Sequence, residues 1–184
     1  MKYLDDLRLF QPLCEQEEVD RALMLQQAER MPEKILTRES ALLHMTASAM
    51  VVNPARTHVL MAYHNIYGTW AWTGGHADGE SDLLAVARRE AQEETRIEHL
   101  TPIQTGAISL EILDVPSHVR RGRFVPCHLH LNMTYAFVGD DRDALQNKAD
   151  ENRAVRWLPI DKLADFVAEP AMLPIYRKIL QRIV

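Results

Sequence analysis

The sequence predicts an α/β fold: a mixed sheet covered by helices, with an N-terminal helical appendage over residues 1–38 and a larger domain over residues 39–184. Two patterns carry that prediction. Runs rich in β-branched and apolar residues outnumber helical ones, and they do not alternate regularly with helices as a doubly wound parallel fold requires. The composition agrees, because 184 residues with 47% hydrophobic and 26% charged side chains suit one ordinary domain with a small addition. Disordered and collagen-like chains are excluded.

The elements follow in order. Residues 15–30 are strong helix formers with apolar side chains at Val19, Ala22 and Leu23, and Met31-Pro32 then stops the helix. From His44 the character changes. TASAMVVN (46–53) and THVLMAYHN (57–65) read as two strands separated by the turn Pro54-Ala55-Arg56. Trp70, Trp72 and Gly74-Gly75 lead into the strongest helix, residues 81–96, with Ser81 as N-cap, Asp82 in the first turn and an apolar stripe of Leu84, Ala87 and Ala91. Residues 105–113, 127–138 and 154–158 read as strands, and 161–168 and 171–183 as helices.

Charge and targeting signals narrow the function classes. No apolar run reaches the ~18 residues of a spanning helix, and the acidic start MKYLDDLRLF lacks the apolar core of a signal peptide. Cys14 and Cys127 are too few for a disulfide framework, so a reducing cytoplasm is the expected location. A net charge of −5 argues against nucleic acid as a partner, and nothing addresses a membrane.

The helix over residues 81–96 carries the chemistry. Glu90, Glu93 and Glu94 stand at i, i+3 and i+4, on one narrow arc, where like charges repel. Arg89 can pair with Glu93 one turn on, but one guanidinium cannot neutralise three carboxylates. A hard divalent cation with oxygen ligands, Mg²⁺ or Mn²⁺, can. Taken alone, an acidic cluster is more often a solvated face. Here a flexible loop, Gly74-Gly75-His76-Ala77-Asp78-Gly79, precedes the helix N-terminus, where N–H groups favour phosphate.

Gly75, five residues, Ser81, seven residues and then Arg89-Glu90-Ala91-Gln92-Glu93-Glu94-Thr95-Arg96-Ile97 resembles the box of the Nudix hydrolases. Ser81 stands where that family has its first Glu, and Arg96 where it has its last Gly. The likeness extends over roughly residues 40 to 168. It implies an α/β/α sandwich and Mg²⁺- or Mn²⁺-dependent hydrolysis of a nucleoside diphosphate derivative or a similar organic diphosphate. By the resemblance Glu90, Glu93 and Glu94 are metal ligands beside Gly75, and Arg89 holds them by a salt bridge. Glu93 and Glu94 are the core of the catalytic site, Ser81 has a structural place, and Glu94 and Glu151 are both candidates for the base. An exposed loop acid is an equal reading of Glu151. A non-catalytic ligand-sensing domain and an isopentenyl diphosphate isomerase-like enzyme remain as alternatives. So does a homodimer.

Further residues are candidates for substrate binding. His128 and His130 alternate with Leu129 and Leu131 and so share a strand face with Asn132 and Thr134. That face suits a substrate cleft, with a zinc site as the sharper alternative. Trp70 and Trp72 suit base stacking, though packing is the commoner use of such aromatics. Arg120, Arg121 and Arg123 form a basic turn suited either to clamping a diphosphate or to a solvated hairpin tip.

Overall fold

A computed structural model describes residues 1–120 and 122–184, with the side chain of Arg120 left out. The helices are α1 (Lys2–Leu9), α2 (Glu15–Arg30), α3 (Leu83–Thr95) and α4 (Met172–Ile183). The strands are β1 (Leu43–Val52), β2 (His58–His64), β3 (Trp70–Ala71), β4 (Thr73–His76), β5 (Leu100–Pro102), β6 (Ser109–Val115), β7 (His118–Arg120), β8 (Arg123–Val125), β9 (His128–Gly139) and β10 (Asn152–Pro159). Short 3₁₀ turns cover Lys34–Leu36 and Ile160–Asp165.

Eight strands form one mixed sheet whose spine runs β10-β2-β1-β9-β5, with β3 paired to β2, β4 to β1 and β6 to β9. The long central strands β1 and β9 are parallel and in register from Leu43–Leu129 to Val52–Val138. Every other pairing is antiparallel. Because side chains alternate across a strand, β1 and β9 each divide into two faces. Met45, Ala47, Ala49 and Val51, with Leu131, Met133, Tyr135 and Phe137, meet Val86, Ala87 and Ala91 of α3 in one core. Met50, Val52 and Ala136 meet Tyr176, Ile179, Leu180 and Ile183 of α4 in a second. The sheet is thus covered by helices on both faces, as the sequence predicts.

The N-terminal helices share the first core. Tyr3, Leu7, Phe10, Met24 and Ala28 are buried there with the sheet, and the Tyr3 N–H donates to the Ser81 carbonyl at 3.0 Å. Helix α2 has the predicted bounds, but its apolar residues at Val19, Ala22 and Leu23 do not form its inner face. Val19, Ala22 and Leu23 are exposed, whereas Glu17, Met24 and Ala28 are buried. Glu17 turns inward to meet Arg182 and Lys178 of α4.

Helix α3 starts later than expected. Asp82, not Ser81, is the N-cap, and its carboxylate accepts from the Ala85 N–H at 3.2 Å. Glu80 in turn accepts from the Asp82 N–H at 2.8 Å. At the other end Arg96 stops the helix in the left-handed conformation, φ 62°, with its N–H donating to the Gln92 carbonyl. It takes the C-terminal position that glycine usually fills. Replacing Asp82 by Ala should therefore cost ~1 kcal/mol in a denaturant titration, and Ser81→Ala less than about half that. The reverse order of effects would return the cap to Ser81.

Candidate active site

The carboxylates of α3 meet two other segments, the β4 backbone and the loop before β10. Gly75 lies against Glu90 so closely that a Cβ there would stand 2.5 Å from the Glu90 carboxyl carbon. Only glycine permits that approach. The neighbouring Gly74 N–H donates to Glu94 Oε1 at 2.9 Å. On the solvent side Arg89 binds Glu90 at 3.1 Å and lies 3.8 Å from Glu93.

The loop before β10 brings in Glu151 and a residue that sequence reasoning missed. Lys148 places its ammonium 2.9 Å from Glu151 and 3.5 Å from Glu93. The loop is pinned to α3 by Asn152, whose amide donates to the Glu94 carbonyl at 3.2 Å and whose Oδ1 accepts from the Lys148 N–H. It is pinned to the β2–β3 turn by Asn65, which donates to the Ala149 and Glu151 carbonyls. A lysine three residues before an acid carries no sequence signal of its own. Its meaning comes from the folded loop.

The electrostatics of this cluster are those of crowded acids. Burial pushes the Glu94 carboxyl up to about 8, opposed by the Gly74 hydrogen bond and reinforced by the charges of Glu151 and Glu90. Burial also raises Glu90, with Arg89 pulling it back and Glu93 and Glu151 adding to the rise. Four oxygen-donor side chains and a glycine backbone converge, and among the described residues only Arg89 and Lys148 pair with them. That donor set fits a hard divalent cation.

The other predicted site residues lie elsewhere. Gly74 and His76 point to the opposite sheet face from Gly75, as do His128 and His130, which share a face with Asn132. The structure therefore does not bring the histidine pair to the carboxylates. His128 and His130 touch each other, Nε2 to Nε2 at 3.3 Å, and burial with neighbouring His44, His128, Arg38 and His118 pushes His130 down to about 3. Trp70 stands edge-on to Tyr63 and Trp72 edge-on to Tyr176, and both pack beside the second core. Arg123 is exposed at the start of β8, where its backbone pairs with Arg120 of β7. Arg121 and the Arg120 side chain lie outside the described residues.

A NUDIX domain profile matches residues 42–183. The chain belongs to the NUDIX family. Among curated proteins, the CMP-5'-(N-acetyl-N-hydroxy-3-aminopropyl)phosphonate hydrolase of Streptomyces rubellomurinus is 28% identical over 130 residues, covering 66% of this chain and 54% of that protein. The chain thus spans about half the length of that relative. The crystal structure of a NUDIX family hydrolase from Clostridium perfringens superimposes with a TM-score of 0.56 at 18% identity, covering 77% of this chain and 98% of the other. The C. elegans Ap4A hydrolase in a binary complex gives 0.55 at 18% identity, covering 75% and 96%. These structural likenesses show the NUDIX fold over about three quarters of the chain. No helix among the described residues is long and apolar enough to cross a membrane.

Proposed function

We propose that this protein is a pyrophosphohydrolase that uses Mg²⁺ or Mn²⁺ to cleave the diphosphate linkage of a nucleoside diphosphate derivative or a similar organic diphosphate. The observation that carries the reading is the convergence of Glu90, Glu93 and Glu94 with Glu151 against the glycine backbone of β4. The Streptomyces relative, named for hydrolysing a CMP-linked phosphonate, favours a nucleotide as one half of the substrate.

Glu90, Glu93 and Glu94 would hold the cation beside Gly75. The ion supplies positive charge against the diphosphate oxygens and makes an adjacent water more acidic. The chain's own residues do the rest. Arg89 keeps Glu90 and Glu93 on the ligand side of α3, and the Gly74 N–H fixes the Glu94 carboxylate. Glu151, more exposed than Glu94, takes the proton from the attacking water, and Lys148 holds it in place. Arg123, exposed at the start of β8, is available to phosphate oxygens.

The test is a panel of nucleoside diphosphate sugars, dinucleotides, nucleoside triphosphates and prenyl diphosphates, assayed for released phosphate or monophosphate with Mg²⁺, with Mn²⁺ and with EDTA. Hydrolysis of a nucleotide member that depends on the metal is expected. Tight binding of nucleotides without turnover in any arm would favour a ligand-sensing domain instead.

A further inference from the structure

We infer that His44, His76 and His130 form a binding site for a divalent transition-metal ion, on the face of the sheet opposite the carboxylates. The three residues come from adjacent strands. His44 and His130 are direct partners in the parallel β1–β9 register, and His76 pairs with Thr46, two residues along the same face of β1. Their ring centroids form a nearly equilateral triangle: 5.0 Å from His44 to His76, 5.1 Å from His44 to His130 and 5.0 Å from His76 to His130. One nitrogen from each ring lies within 4.8 Å of the other two.

The orientation of the rings points to a cation. His44 Nδ1 sits 3.0 Å from the Ser40 carbonyl, so that nitrogen carries the hydrogen and Nε2 presents its lone pair. His44 is only 5% exposed, and among the described residues its buried Nε2 has no hydrogen-bond partner. A buried acceptor left in that state needs an explanation. His128 repeats the pattern, with Nδ1 2.9 Å from the Pro126 carbonyl and Nε2 3.3 Å from His130 Nε2. Two nitrogens bound tetrahedrally to one zinc ion stand about 3.4 Å apart, given Zn–N bonds of about 2.0–2.1 Å. His128 thus borders the triangle on the His130 side. A backbone carbonyl on the far nitrogen is how proteins orient metal-binding imidazoles.

Ligand chemistry separates this site from the carboxylate one. Imidazole favours Zn²⁺ and similar ions, whereas Mg²⁺ prefers the oxygen donors of Glu90, Glu93 and Glu94. An ion held by His76 braces the end of β4, the strand whose Gly74 N–H holds Glu94.

The test uses the full chain without a histidine tag, stripped with chelator and titrated with Zn²⁺ against a chromophoric competitor, then with Co²⁺. Wild-type protein should hold one equivalent of Zn²⁺, and Co²⁺ should give the strong visible bands of tetrahedral nitrogen coordination. His76→Ala and His130→Ala should each weaken Zn²⁺ at least about tenfold, while Glu93→Gln leaves it unchanged. Absence of stoichiometric Zn²⁺ from the wild type overturns the proposal, as does a titration in which the histidine variants match it. So does loss of Zn²⁺ in Glu93→Gln. If a histidine variant fails to fold, the wild-type Co²⁺ spectrum decides, because octahedral oxygen coordination gives only pale bands.

Discussion

Glu94→Gln should lower kcat by at least about 10²–10³-fold on the best substrate of the panel while leaving the fold intact. The glutamine oxygen can still accept from the Gly74 N–H, as Glu94 does at 2.9 Å, so the change removes the capacity for charge rather than the shape. In EDTA the variant should melt no lower than wild type, because burial beside Glu90 and Glu151 holds the Glu94 carboxyl at about 8, largely protonated at neutral pH and so already uncharged. With millimolar Mg²⁺ or Mn²⁺ the wild type should gain melting temperature, since a ligand that binds only the folded state stabilises it. The variant should gain much less. Wild-type melting that ignores both ions would remove the carboxylates as a cation site, whatever the kinetics show.

That prediction could be framed from the sequence because a helix converts spacing into proximity. Glu90, Glu93 and Glu94 needed only the 3.6-residue period to be placed together, and the bounds of α2 at Glu15–Arg30 followed from its helix formers and its proline stop. What the sequence hid depends on distant contacts. The inner face of α2 is hidden because Glu17 is buried in it, and charge normally marks the outside of a helix. Helix α1 is short, buries only Tyr3 and Leu7, and gains its hold from the loop before α3 through the Ser81 carbonyl. Lys148 joins Glu93 and Glu151 only once Asn152 and Asn65 have fixed the loop. The histidine triangle is hidden for the same reason. His44, His76 and His130 are far apart in the chain, and only strand order and register bring them onto one face.

The burial of Glu17 leads to the second large effect, on stability. Its side chain is fully buried, with Oε1 2.6 Å from Arg182 and 3.1 Å from Lys178, and Oε2 accepting from the Leu13 N–H at 3.0 Å. Burial opposes its ionisation. The hydrogen bonds from Arg182, Leu13, Lys178 and Ser109 outweigh that and hold the carboxyl at about 2, against an ordinary 4.5. A depressed acid contributes stability that is fully present above the unfolded value and lost as pH falls through the folded one. The contribution is on the order of 3 kcal/mol, and it should disappear between about pH 4.5 and pH 2. Glu17→Ala should therefore cost about 3–5 kcal/mol near neutral pH, because Arg182 is left in a buried site without its main carboxylate. Lys178 suffers less, since Glu111 remains 2.9 Å away. Between pH 4.5 and 2 the stability of the variant should fall less steeply than that of wild type. Denaturant titrations across that range measure both quantities. A neutral-pH loss below about 1 kcal/mol, with parallel acid limbs, would show that the link from α2 to α4 through Glu17 contributes little to holding the N-terminal helices on the sheet.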